Sequence, residues 1–176
     1  MLRFTVLFCV FLAVLFGLEL LRPVDEHVIV PFTTVLAKIC TTLISAFDSD
    51  AVSIGKVIRS TTNGFAVSIE RGCNGVEAVI ILFAAIFAFP ATFKHKLAGF
   101  AVGFVAIQGL NLVRIISLFY LGQWSQTWFD WFHLYLWQAL IIIDALVVWL
   151  LWLRWLPRDD EGEGEGEDDA GTPLPA

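Results

Sequence analysis

Charge is scarce in this sequence: Asp, Glu, Lys and Arg make up 16% of its 176 residues, against about 25% in soluble domains. Hydrophobic residues reach 58% and the mean hydropathy is +0.78, which excludes a soluble globular domain and points to one compact integral membrane domain. The three cysteines, Cys9, Cys40 and Cys73, are far apart and form no CxxC or Cys/His ligand spacing, so no disulfide framework or zinc site is indicated. No metal and no organic cofactor is expected. There is no run of Lys and Arg, which argues against a nucleic-acid partner. Nor does an A-x-A-like site follow the first apolar run, so that run reads as an uncleaved helix, with a signal peptide as the alternative.

The net charge of -6 is also misleading. Residues 159–176 hold eight acids and no base, and without them the chain is slightly basic. This acidic, glycine-rich tail, residues 158–176, is expected to be disordered and cytoplasmic; residues 1–157 form the membrane domain. The predicted fold is an all-α polytopic membrane protein with about four transmembrane helices, an interfacial helix and a small extracytoplasmic β-hairpin.

The predicted spans are residues 4–21, 76–93, 97–121 and 134–153. Residues 28–47 form the interfacial helix, because Thr34, Lys38, Thr41 and Ser45 recur on one face while Phe32, Val35, Ile39, Leu43 and Phe47 cover the other. A transmembrane helix is the alternative there. Between residues 52 and 70 the period shortens to two around Thr61-Thr62-Asn63-Gly64, a hairpin signal. That hairpin is either a connector or an edge on which a peptide docks by strand addition. Gly99, Gly103 and Gly109 suit close helix contact, and two tryptophan groups, Trp124, Trp128 and Trp131 against Trp149, Trp152 and Trp155, suit the two membrane interfaces.

The chemistry concentrates at Glu70-Arg71-Gly72-Cys73-Asn74-Gly75-Val76-Glu77. Asn74 followed by Glu77 three residues later is a variant capping box and starts a helix. Cys73 then sits at the positive helix end beside Arg71, a setting that lowers a thiol pKa, although most free cysteines in such a place are small buried hydrophobes. Arg114 lies within an apolar span, where an arginine costs at least ~2.5 kcal/mol at the bilayer centre and is functional by default; snorkelling to the interface is its structural alternative. Asn111 shares its helix face, and Glu77 is a candidate partner for its charge. His133 opens the last span, as a base or as an interfacial histidine. With four spans and both termini in the cytoplasm, Cys73, Arg114 and His133 come from three helices to one level at the outer surface.

These residues resemble the exosortase and archaeosortase family of membrane-embedded cysteine transpeptidases. The resemblance rests on Cys73-Asn74-Gly75, Asn111-Leu112-Val113-Arg114 and His133 in that order, and extends over residues 2–157. "GCNGVEA", "NLVRIISLFYLGQW" and the Asn-Gly hairpin are similar to the short variant called exosortase H. It implies a catalytic Cys73 nucleophile, Arg114 as thiolate or oxyanion stabiliser and His133 as general acid and base, with Asn74, Glu77 and Asn111 in support. It also implies a cell inner membrane location with the active site facing the periplasm. The implied partners are the C-terminal sorting-signal segment of exported proteins, of an IPTLxxWG type, an unknown acceptor and membrane lipid. The competing reading from the residues alone is a non-catalytic assembly or transport partner with a structural Arg/His cluster.

Overall fold

In the computed structural model, which describes residues 2–156, the chain runs α1 (Leu2–Glu19), α2 (Arg22–Ser45), β1 (Ala51–Ile54), β2 (Val57–Ser60), β3 (Ala66–Ser68), α3 (Val76–Ala88), α4 (Phe93–Trp124) and α5 (Gln126–Trp155). The expected polytopic helical membrane fold with a small sheet is observed. Four helices, α1, α2, α4 and α5, are long and apolar enough to cross a membrane. The acidic tail at 158–176 lies outside the described residues.

The helix ends differ from expectation for local reasons. α3 stops at Ala88 because Phe89 is extended, with φ -75° and ψ 139°, the conformation favoured before a proline such as Pro90. Its 13 residues span about 20 Å, less than a ~30 Å hydrocarbon core. α2 is longer than predicted and has the length and composition of a span. Of the polar stripe that suggested an interfacial helix, Thr34, Thr41 and Ser45 donate to the carbonyls of Val30, Ala37 and Thr41 at 2.7–2.8 Å, while Lys38 is exposed.

The sheet has three strands where one hairpin was predicted. Gly55, at φ +58°, allows a tight turn that splits the first predicted strand into β1 and β2, paired Ile54 to Val57. The Asn63-Gly64 turn then joins β2 to β3 as expected, with Ile58 opposite Val67. Asp50 holds this turn, accepting from the hydroxyls of Ser60, Thr61 and Thr62 and from the Thr62 N–H at 2.7–2.9 Å.

Two apolar cores result. One joins α3, α4 and α5 through Ala78, Leu82, Ile86, Ile107, Ile141, Ala145 and Trp152. The other joins α2, the sheet and the later half of α4 through Leu36, Cys40, Ile44, Ile58, Ile69, Ile115 and Phe119. Gly99 and Gly103 allow the first: a Cβ at Gly99 would meet the Trp152 indole, and one at Gly103 would meet Leu82 and Val148. Gly109 has nothing within 4 Å. Trp152 is consequently buried, donating its indole N–H to the His95 carbonyl at 2.9 Å, and is not part of an aromatic belt. Trp124, Trp128, Trp131 and Trp155 are exposed.

α4 belongs to both cores. Its 32 residues extend about 48 Å, well beyond a ~30 Å hydrocarbon core. Measured from Lys96, Arg114 is about 27 Å along the axis. Arg114 thus lies in the later half of α4, between Ile107 of the first core and Ile115 of the second.

Candidate active site

The segment ahead of Cys73 is pinned residue by residue. Ile69 is buried and donates its N–H to the Lys56 carbonyl at 3.0 Å. Glu70 pairs with Lys56 at 2.6 Å, and Arg71 pairs with Asp25 of α2 at 2.8 Å. The Gly72 N–H donates to the Glu77 carboxylate. Gly72 and Gly75 both adopt positive φ, +78° and +75°, so the chain bends sharply on either side of the cysteine.

Asn74 and Glu77 act near the helix start, with a shifted pattern. The cap residue is Gly75, and the buried Asn74 side chain accepts from the first helical N–H, that of Val76, at 3.0 Å. Glu77 does reach back, to Gly72, and is not the partner of Arg114. A Cβ on Gly75 would lie 3.1 Å from Gln108 Nε2 and 3.3 Å from the Asn111 carboxamide. Asn111, fully buried and bonded to Gln108 at 3.4 Å, thus forms the seat on which α3 begins.

Cys73, Arg114 and His133 converge. Both His133 ring nitrogens are 3.7 Å from Cys73 Sγ, and Arg114 Nη2 also lies 3.7 Å from it. Either imidazole tautomer therefore presents an acceptor nitrogen to the thiol. Arg114 is 1% exposed, makes no salt bridge among the described residues, and keeps Nε and Nη1 without hydrogen-bond partners. His133 lies in a π turn of α5, Phe132–Leu136, a distortion that frequently marks functional sites. Phe129, one turn earlier, stacks on the imidazole at 5.6 Å and 14°. It was not singled out in the sequence, although its i, i+4 spacing from His133 is the available signal.

The electrostatics differ from the sequence expectation. Burial pushes the Cys73 thiol above its ordinary pKa; Arg114 opposes this, while Glu77 and Glu70 add to it. Arg71 does not lower it, because its guanidinium is committed to Asp25. Burial thus favours the protonated thiol, and Cys73 would need a base beside it to act as a nucleophile.

A cleft of about 230 Å³ opens at this cluster, lined by β3, the Ile69–Arg71 segment, Cys73, Arg114, Ile115, Leu118, Phe129 and His133. Phe65 precedes β3 and touches the cleft residue Phe129. Its ring packs against Phe119 and Phe129 at 6.3 Å, and a Cβ on Gly122 would overlap it. Phe65 and Gly122 were missed in sequence because their contact joins a turn to a helix end 57 positions away.

Fold and site together define a multi-pass membrane protein with a cysteine, a histidine and an arginine gathered at one end of a helical bundle. The family model for transmembrane exosortases matches residues 1–149, and the chain belongs to that family. No curated protein and no solved structure matches it. Family membership makes it a membrane protein of protein sorting and processing.

Proposed function

We propose that this exosortase is a membrane-embedded cysteine peptidase and transpeptidase. It cleaves the C-terminal sorting signal of exported proteins at the outer face of the inner membrane and transfers the new carboxyl end to an acceptor. The observation that carries this reading is the meeting of Cys73 Sγ, His133 and Arg114 at 3.7 Å from three separate parts of the chain.

In the first half-reaction His133 takes the Sγ proton as the thiolate attacks the substrate carbonyl. Arg114 stabilises the negative charge on sulfur through Nη2. Collapse of the tetrahedral species breaks the C–N bond, and His133 returns the proton to the departing amine, leaving a thioester on Cys73. In the second, His133 deprotonates the incoming acceptor nucleophile, which takes the acyl group, and the proton returns to sulfur. With water as the nucleophile the product is a free acid. The assembly-partner reading gives the thiol no role, whereas both His133 and Arg114 Nη2 lie 3.7 Å from Cys73 Sγ, which favours catalysis.

The test is the size of a tagged substrate bearing a sorting signal, co-expressed with wild-type protein or Cys73→Ala at equal membrane levels. Loss of the cleaved form in the variant supports the peptidase. Equal cleavage with both chains refutes it. The mass of the new C-terminus distinguishes transfer from hydrolysis.

A further inference from the structure

The β3 strand has one edge paired and one edge free. Val67 lies opposite Ile58, the Phe65 carbonyl accepts from Ser60 N–H at 2.8 Å, and Ile69 N–H donates to the Lys56 carbonyl at 3.0 Å. In an antiparallel pair, alternate residues direct their backbone groups toward the partner. Residues 65, 67 and 69 face β2, so the N–H and C=O groups of Ala66 and Ser68 face away from it. Strand order β1-β2-β3 leaves no further strand on that side among the described residues. β1, at the opposite edge, lies against α2, and β3 touches α4.

The free edge is also part of the reactive cleft. Ala66, Val67 and Ser68 line the same space as Cys73, Arg114 and His133. Exposed edges are commonly blunted by proline or by charged side chains, yet β3 reads Ala-Val-Ser. Phe65, seated on Gly122 and against Phe129, fixes the strand relative to the helix that bears His133.

We propose that the free edge of β3 is the docking strand for the extended substrate segment that carries the scissile bond. This rests on the peptidase reading of the site. The backbone groups of Ala66 and Ser68 pair with the substrate backbone at a strand spacing of about 4.8 Å, so the incoming chain forms a fourth strand beside Cys73. The occupant is a peptide, because the wall offers amide and carbonyl groups at strand intervals and the adjacent thiol attacks a carbonyl. Such pairing holds a backbone in register with little dependence on side chains, and alternate substrate residues then face opposite walls.

The experiment is disulfide cross-linking in membranes, using the full chain with Cys9→Ser, Cys73→Ala and Ser68→Cys; Cys40 is fully buried and is kept. A co-expressed tagged substrate carries one cysteine, moved position by position through its cleavage motif. The expected result is cross-linking at alternate positions, and none when the cysteine is placed at Thr62→Cys on the β2–β3 turn. Cross-linking at consecutive positions, at no position, or equally from Thr62→Cys overturns the inference.

A second variant, Ser68→Pro in the otherwise native chain, removes an edge N–H that β2 does not use. Cleavage should fall at least tenfold at equal membrane level and equal Cys73 alkylation rate. Unchanged cleavage overturns the docking role. Cleavage that depends on Cys73 without the alternating pattern sinks the docking strand alone. Cleavage that persists in Cys73→Ala sinks the peptidase reading, and an alternating pattern would then still establish the edge as a peptide-binding site.

Discussion

Replacing Arg114 by glutamine should make Cys73 much less reactive, and the structure sets the scale. The guanidinium nitrogen is 3.7 Å from sulfur. At an effective dielectric near 20, its attraction for a thiolate is about 4 kcal/mol. Burial and the two nearby glutamates already hold the proton on Cys73, so removing the opposing cation moves the thiol pKa further upward. The thiolate population at neutral pH should fall by about a thousandfold on this figure. A more basic thiolate is intrinsically more nucleophilic, with a Brønsted coefficient of about 0.4–0.5, which returns nearly half of the loss on a logarithmic scale. The net decrease in alkylation rate is therefore roughly 30-fold. The assay is iodoacetamide modification of Cys73 as a function of pH in nanodiscs, with Cys9→Ser to remove the exposed competitor. The Arg114→Gln profile should be displaced to higher pH. An unchanged profile would refute the argument that Arg114 acts on the sulfur, even if cleavage were lost.

Gly122→Ala should lower thermal stability by about 1–3 kcal/mol, the usual cost of overpacking, since the new methyl overlaps the Phe65 ring; Phe65→Leu in the same chain should restore part of the loss, measured by thermal unfolding in detergent. Glu77→Ala should impair cleavage more than Glu77→Gln, because the amide retains an oxygen that accepts from Gly72 N–H; equal impairment would mean that the charge, and not the hydrogen bond, matters. The Asp50 carboxyl is held down to about 2, chiefly by the Ser60 hydroxyl with Thr62 and Thr61 contributing. A depressed folded-state pKa gives stability present above the unfolded value near 3.9 and lost as pH falls through the folded value, so protection of the sheet amides from hydrogen exchange should decline between about pH 4 and 2. Asp50→Asn should abolish that acid dependence.

Much of this protein was readable along the chain because the relevant signals are local. Apolar runs reveal helices, Asn63-Gly64 reveals a turn, and Cys73, Arg114 and His133 stand out because reactive or charged groups are rare among so many hydrophobic residues. Which helices meet the length of a span was less legible. Pro90 shortens α3 through the conformation of the residue before it, while three hydroxyls in α2 bond their own helix carbonyls and leave Lys38 as the charged member of the polar stripe. The split of β1 from β2 depends on a single positive φ at Gly55.

Sequence alone therefore determined the membrane class and the order of the helices, since composition and short-range periodicity carry that information, and it singled out Cys73, Arg114 and His133 as candidates through rarity and the exosortase resemblance. Only the tertiary structure decided which cation lies against Cys73 Sγ. Arg71, two residues away, is drawn off by Asp25 of α2, and Arg114, 41 positions along, takes its place because α3 is seated on Asn111 and Gln108 of α4 through the missing side chain of Gly75. The tertiary structure likewise set Phe129 on His133 and turned the free edge of β3 into a wall of the cleft. Distances across helices depend on how side chains pack, and packing partners separated by 40 to 60 residues leave no pattern in the order of the chain.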